Sequence, residues 1–121
     1  PCAYSMTFNV TGNKLNAILN QRSQDTLTAN NWNVVQYAVL VHMFAQVSGL
    51  EAGELVHVIS DMHIYNRHID MVKELISREP KKAPKFIMNK DIKNFYDFTV
   101  DDFDLEGYEY GPSLGKIPVA I

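Results

Sequence analysis

Residues 2–23 read "CAYSMTFNVTGNKLNAILNQRS", and this stretch decides the fold class. Polar residues alternate with apolar ones on both sides of the "TGNK" segment at residues 11–14. The residues that share the apolar phase are Tyr4, Met6, Phe8 and Val10 before that segment, and Leu15, Ala17 and Leu19 after it. A period of two is typical of half-buried strands, and a Gly-Asn pair between two such runs indicates a tight turn. The stretch therefore predicts a β-hairpin with one face toward a core.

Downstream of the hairpin the sequence alternates helical and extended patterns. Residues 24–32, "QDTLTANNW", predict a loop whose asparagines are candidates to cap the next helix. The apolar run 33–48 predicts a largely buried helix that ends at Gly49. The remaining predicted elements are a strand at 54–60, a helix at about 66–78, a strand in "APKFIMN" and a strand in "FDLEGY". The order β-β-α-β-α-β-β indicates an α+β protein whose mixed or antiparallel sheet packs on a long buried helix.

Composition narrows the class of protein. The chain has 121 residues, of which 46% are hydrophobic and 21% charged, as expected for one globular domain. A formal charge of -3 argues against a basic surface for nucleic acid. No stretch approaches the roughly 18 apolar residues of a membrane span, and one cysteine cannot form an internal disulfide. We expect a cytoplasmic protein with neither nucleic acid nor membrane as a partner.

The "QRSQD" segment at residues 21–25 makes the single cysteine, Cys2, a candidate reactive thiol. A lone cysteine in a cytosolic protein is often inert. However, the returning strand of the hairpin carries Arg22 back toward the start of the first strand, and a neighbouring guanidinium favours a thiolate. Arg22 and Ser23 together also suit an anion such as phosphate. Two interpretations remain open at this point: a reactive thiol beside a cation, or an arginine that merely lies on the surface at a strand end.

A second polar group lies in "SDMHIYNRH", where Asp61, His63 and Tyr65 recur at every second residue. If the strand persists, all three lie on one face and suit a sugar hydroxyl or a metal. Zinc would require more His or Cys ligands, so we predict no metal site. The alternative roles also remain open: Asp61 as the cap of a turn, and Tyr65 as an aromatic residue at an interface. His42 and His57, inside predicted elements, are expected to be packed residues rather than ligands.

Taken together, these motifs resemble those of a known family. A "PC" pair at the head of a strand, "QRSxD" after the hairpin, an asparagine opening a long helix, "DxHxY" and a C-terminal "PVAI" occur here in the order and spacing of the thymidylate synthase family. The resemblance covers the whole chain but only the C-terminal half of the family's enzymes, and it implies a partial thymidylate synthase-like fold. Because the family's cysteine lies mid-chain, the natural protein is expected to continue upstream of Pro1.

The resemblance implies reductive methylation of deoxyuridylate (dUMP) to thymidylate (dTMP), with methylene-tetrahydrofolate as the co-substrate and without a metal. Cys2 matches the nucleophile that adds to carbon 6 of uracil. Arg22, which lies beside the thiol in the family, is the second residue expected to act in catalysis. The partners implied are dUMP, the reduced folate and, in the intact enzyme, a second copy of the same subunit.

The resemblance also implies the nucleotide contacts. Arg22 and Ser23 match the residues that hold the phosphate. Asn33 matches the asparagine whose amide, with a donor and an acceptor, reads the uracil edge. His63 and Tyr65 match the pair on the ribose hydroxyl.

Three further residues complete the implied site. Gln21 joins the substrate-binding set. Asp25 matches the carboxylate that binds the pterin of the folate, and it is also counted with the substrate-binding residues. Ala120 lies in the C-terminal segment, which resembles the tail that folds over the bound cofactor.

The chain departs from the family pattern at several positions. Ala3 stands where the family usually has a histidine, Ser60 replaces a common glycine, and "LTANNWN" replaces a common loop pattern, which affects the surroundings of the nucleotide and folate. The general-base glutamate, the folate-stacking tryptophans and further arginines come from the family's N-terminal half. No residue of this chain matches them, so we expect the 121 residues alone to be inactive.

Two alternative functions remain. A pyrimidine nucleotide hydroxymethylase of the same superfamily would share Cys2 and Arg22, although Asn33 argues against the cytosine-specific type. A non-catalytic nucleotide-binding or assembly module is the other alternative. The joint presence of Cys2 and Asp25 argues against that module, since a protein that only binds does not need the thiol.

Overall fold

The predicted hairpin is confirmed in the computed structural model, which describes residues 1–118. β1 (Ala3–Thr11) and β2 (Lys14–Gln21) pair antiparallel. Gly12 takes the positive φ of 62° that the tight turn favours. The inward residues of β2 are buried as the period of two predicts: Leu15, Ala17 and Leu19. Tyr4, at a register shift in β1, is 60% exposed and Val10 is 54% exposed, so their predicted places on the core face are wrong.

The segment predicted as a loop, residues 24–32, contains regular structure. It holds a short strand, β3 (Gln24–Asp25), and the first residues of α1 (Asn30–Val47). The helix therefore begins three residues before its predicted start. The N-cap residue is Ala29 and no side chain caps the helix, so the predicted asparagine cap is wrong.

The turn before α1 is closed by a carboxylate instead. Asp25 Oδ1 accepts hydrogen bonds from the backbone N–H groups of Leu27 and Thr28, at 3.1 and 3.2 Å. Aspartate side chains that bond the backbone two or three residues ahead stabilise such turns. This local bonding allows the helix to begin without an asparagine cap.

The end of α1 follows the prediction, whereas its burial does not. Gly49 takes a φ of 68° just beyond the helix, the left-handed conformation that ends many helices. Within α1, only Val41 and Ala45 are buried, so the prediction of a largely buried helix is wrong. Phe44 packs edge to face on Phe8 of β1 with ring centroids 5.3 Å apart. The helix thus covers the sheet with one stripe of residues.

The sheet is mixed, which is one of the two types that the sequence predicts. β4 (Glu51–Ile59) pairs parallel with β2, giving the strand order β1-β2-β4, and it begins three residues before the predicted strand 54–60. α1 packs on β2 and β4. β5 (Met62–His63) pairs parallel with β3. The α+β class and the sheet packed against a long helix are confirmed in this unit, residues 1–65.

The second compact unit begins at Asn66. A 3-10 turn, Asn66–His68, leads into α2 (Ile69–Ser77), and β6 (Lys85–Met88) pairs antiparallel with β7 (Phe103–Glu106). These elements confirm the helix and the two strands predicted for this region. None of the helices among the described residues has the length and apolar character needed to cross a membrane.

Aromatic stacking and a capped turn support the second unit. Phe103 stacks on Phe86 and Phe98, with ring centroids 6.2 and 5.6 Å apart. Asp102 and Thr99 form a reciprocal capping box, in which the Thr99 N–H donates to the carboxylate at 2.8 Å. This hydrogen bond, followed by those from side chains, lowers the pKa of Asp102 below 3.8.

Candidate functional site

Cys2 and Arg22, the two residues singled out in the sequence, lie together at the open end of the hairpin. The backbone N–H of Arg22 donates to the carbonyl of Cys2 at 2.9 Å. Arg22 Nε donates to the carbonyl of Pro1 at 3.4 Å. Cys2 is exposed and forms no disulfide. The antiparallel pairing of the hairpin therefore brings the two residues together, as predicted.

A cluster of amide side chains lies next to this pair, inside the unit. Gln21 is 2% exposed and Gln24 is 1% exposed. Gln21 Nε2 donates to the carbonyl of Ser23 at 2.8 Å and to Asn33 Oδ1 at 3.3 Å, and Gln24 Oε1 also accepts from it. Leaving a buried amide group without a partner costs about 1–3 kcal/mol, so these bonds hold the side chains in place.

His57 completes this group, which we call the amide cluster: Gln21, Gln24, Asn33 and His57. The parallel pairing of β2 and β4 sets His57 opposite Leu19. His57 Nε2 lies 3.0 Å from Gln21 Oε1. An amide oxygen can only accept, so Nε2 carries the hydrogen and donates it. Burial lowers the pKa of His57 below its ordinary value of 6.5 and so favours the neutral ring.

The Asp61, His63 and Tyr65 side chains come together as well, although not through strand periodicity alone. β5 ends at His63, so Tyr65 lies beyond the strand. His63 Nδ1 is 3.4 Å from Asp61 Oδ2, and the rings of His63 and Tyr65 meet edge to face at 5.0 Å. The backbone N–H of Gln24 donates to the carbonyl of Asp61 at 2.9 Å, which places this group beside the amide cluster.

Of the two residues expected at the folate, Asp25 lies among the described residues. Asp25 uses its carboxylate within its own turn, where it accepts from two backbone N–H groups and from the hydroxyl of Thr28. Ala120 lies outside the described residues. Among residues 1–118, no group of three or more His, Cys, Asp or Glu side chains is arranged to hold a metal ion.

Gln24 and His57 were not among the predicted site residues. A signal for the cluster was present in β2, because the buried phase of Leu15, Ala17 and Leu19 continues to Gln21. A glutamine in a buried phase requires polar partners nearby. Nothing in the sequence pattern, however, identifies His57 as one of those partners, since it lies 36 residues away.

Comparison with known proteins gives one consistent result. A family model described as "Thymidylate synthase" matches residues 1–121. Thymidylate synthase from Bacillus licheniformis is 48% identical over 114 residues, which cover 94% of this chain and 41% of that protein. Thymidylate synthase 1 from Bacillus amyloliquefaciens is 45% identical over 120 residues, which cover 98% and 52% of the two chains.

A solved structure agrees with these relatives. The thermostable thymidylate synthase A from Bacillus subtilis matches this chain with a TM-score of 0.96 and 44% sequence identity, over 100% of this chain and 43% of that one. The chain thus spans about half the length of the relatives it matches. The match over every residue of the sequence, at this level of identity and with this fold, shows that the chain belongs to the thymidylate synthase family.

Proposed function

We propose that the chain supplies the nucleotide-binding and nucleophilic part of an enzyme that converts dUMP to dTMP by reductive methylation with methylene-tetrahydrofolate. Family membership supports the proposal. The observation that carries it is the hydrogen bond from the Arg22 N–H to the Cys2 carbonyl, at 2.9 Å. This bond joins the backbones of Cys2 and Arg22, next to the buried Gln21 in the chain.

Cys2 is the nucleophile in this proposal. Its thiolate adds to carbon 6 of the uracil ring and forms a carbon–sulfur bond, while the electron pair of the ring double bond moves toward carbon 5. Carbon 5 then becomes nucleophilic and can accept a one-carbon unit. The folate supplies that unit and the reducing equivalents. The carbon-5 proton leaves to a base, the bond between the transferred carbon and the folate nitrogen breaks, and a hydride from the folate completes the methyl group. Breaking of the carbon–sulfur bond then restores the ring double bond and frees Cys2.

The phosphate and the ribose are assigned to groups on either side of the amide cluster. The guanidinium of Arg22 has a planar fork of donors that matches phosphate oxygens, and the hydroxyl of Ser23 adds another donor. His63 and Tyr65, in ring contact with each other, offer a ring nitrogen and a phenol to the ribose hydroxyl. This assignment fits a nucleotide rather than a free base.

Base recognition is assigned to Asn33. The uracil edge offers an acceptor at O4 and a donor at N3–H. Asn33 Oδ1 lies toward Gln21, from which it accepts a hydrogen bond of 3.3 Å. The Asn33 Nδ2 group can donate to O4, and the second lone pair of Oδ1 can accept from N3–H. Gln21 thus takes part in substrate binding through Asn33.

The folate is assigned in part to this chain. We propose that Asp25 and Ala120 contribute to its binding. The carboxylate of Asp25 is fixed by the N–H groups of Leu27 and Thr28, which gives the pterin a rigid acceptor. The tryptophans and the general base expected from the family would come from residues outside this chain.

A homodimer in the cytoplasm completes the proposal. The sheet face away from α1 exposes three apolar side chains, which are 44–48% accessible: Ile18, Val56 and Val58. Ile18 and Val56 are register partners on β2 and β4, so they form a contiguous apolar strip. A second subunit would cover such a surface. A single thiol without a disulfide suits the reducing cytoplasm.

The test is a chimera in which this chain replaces the matched portion of the Bacillus licheniformis thymidylate synthase. With dUMP that carries tritium at carbon 5, we expect release of tritium and formation of dTMP, both dependent on methylene-tetrahydrofolate. A hydroxymethylated product would favour the hydroxymethylase alternative. Nucleotide binding without turnover would favour the non-catalytic module.

A further inference from the structure

The Asn33 amide alone does not distinguish uracil from cytosine. A half-turn about the last side-chain torsion exchanges its oxygen and its nitrogen. In one orientation it matches the O4 acceptor and the N3–H donor of uracil. In the other it matches the amino donor and the N3 acceptor of cytosine. Discrimination therefore requires a neighbouring group that fixes the amide orientation.

Two backbone carbonyls fix the polarity of the amides next to Asn33. A carbonyl can only accept, so the 2.8 Å contact with the Ser23 carbonyl identifies the nitrogen end of Gln21. Likewise, Gln24 Nε2 donates to the Asp25 carbonyl at 3.3 Å, which leaves Gln24 Oε1 facing Gln21. The nitrogen of Gln21 therefore faces Asn33 and donates a hydrogen bond to Asn33 Oδ1.

His57 holds the other end of the Gln21 amide. Its Nε2 donates to Gln21 Oε1 at 3.0 Å. Gln21 is 2% exposed, so water has little access to replace this donor. Without it, the buried oxygen would lack its partner, and Gln21 would gain freedom to move away from Asn33.

We propose that His57 is a specificity-determining positioning residue, which holds Gln21 so that Asn33 keeps the orientation that reads uracil. The inference rests on the proposed function, since it requires Asn33 to contact the base. His57 touches neither the nucleotide nor the thiol in this proposal. It acts through Gln21, and its effect is on the choice between dUMP and dCMP rather than on the addition of Cys2 to the ring.

The experiment compares His57→Phe with His57→Trp in the Bacillus licheniformis chimera. Phenylalanine keeps an aromatic ring but has no donor, whereas the tryptophan ring nitrogen can only donate. Binding of dUMP and dCMP is measured for each protein by titration calorimetry, and kcat and KM for dUMP by tritium release. We expect the ratio of dUMP to dCMP affinity to fall roughly tenfold in His57→Phe. In His57→Trp we expect it to stay within about twofold of the parent. In His57→Phe, kcat for dUMP should change less than the affinity ratio.

His57→Val provides a second variant without a donor, because β-branched residues suit a strand if the phenylalanine variant does not fold. An unchanged affinity ratio in a folded His57→Phe or His57→Val protein would overturn the proposal. So would an equal fall in His57→Trp, because the donor would then not be the cause. If the parent chimera binds no dUMP, the proposed function fails as well, and that result is distinct from normal dUMP binding with an unchanged ratio.

Discussion

The amide cluster and the Cys2–Arg22 pair lie at the same end of the sheet but differ in how completely this chain surrounds them. Gln21 and Gln24 are buried and hydrogen-bonded to residues of the same unit. Cys2 and Arg22 are exposed, and Arg22 donates hydrogen bonds to the backbone carbonyls of Cys2 and Pro1. Buried polar groups with satisfied partners are rigid. Under the proposed function, base recognition is therefore preformed here, whereas the thiol proposed as the nucleophile requires surroundings that residues 1–118 do not supply.

The largest effect is expected at the thiol. In the chimera, Cys2→Ser should lower turnover by roughly a thousandfold or more, because a hydroxyl is a far weaker nucleophile at neutral pH. Binding of dUMP should remain largely intact, since the amide cluster and Arg22 do not depend on the sulfur. Tritium release and titration calorimetry measure the two quantities separately. Retained turnover would remove the covalent mechanism.

A smaller effect is expected when the base reader is changed. Asn33→Asp should shift the preference from dUMP toward dCMP, because a carboxyl group can accept from the cytosine amino group where the fixed amide presents a donor. A mispaired buried polar group costs about 1–3 kcal/mol, which corresponds to a ten- to hundredfold change in the affinity ratio. Calorimetric titration of both nucleotides checks this. An unchanged ratio would mean that Asn33 does not read the base.

The exposed arginine should have a weaker and more selective effect. Arg22→Gln should reduce dUMP affinity roughly tenfold, while the affinity for deoxyuridine, which lacks the phosphate, should hardly change. Lys14→Gln, at the turn end of the same strand, removes an equal charge and serves as the matched control. Equal losses for nucleotide and nucleoside would place Arg22 away from the phosphate.

The hairpin and the thiol–arginine pair were predictable because both depend on local order. Alternation in residues 15–19 sets the buried face, and the antiparallel return of the chain brings Arg22 to Cys2. The helix start was not predictable from propensity. The Asp25 side chain closes the preceding turn, and this allows Asn30–Val47 to begin early without a capping asparagine.

Local sequence patterns do not predict the amide cluster. Its His57–Gln21 bond depends on the parallel register of two strands separated by a helix. The contact of His63 with Tyr65 likewise comes from ring packing after the strand has ended. Family resemblance supplied Asn33 as a candidate, but the partner that orients it could be read only from the folded chain.

The pH dependence of stability should give the smallest of these effects. Burial lowers the pKa values of His42 and His57 below 6.5. At these two histidines the unfolded chain therefore binds more protons than the folded chain. The free energy of unfolding should consequently fall as the pH drops below about 6.5. Urea unfolding of the chimera at about pH 7.5 and 5.5 measures this, and His57→Phe should reduce the difference. An unchanged difference in that variant would contradict the assigned cause.

The most direct test of the account uses the chain by itself. Tritium release from labelled dUMP is measured with the 121-residue chain alone, with the N-terminal portion of the Bacillus licheniformis thymidylate synthase alone, and with the two chains mixed, always with methylene-tetrahydrofolate present. General acid–base groups are worth about 10²–10⁴-fold, and the chain has none assigned. We predict no turnover from either chain alone and turnover on mixing, which Cys2→Ser abolishes. Turnover by the 121-residue chain alone at the rate of the chimera would contradict the account.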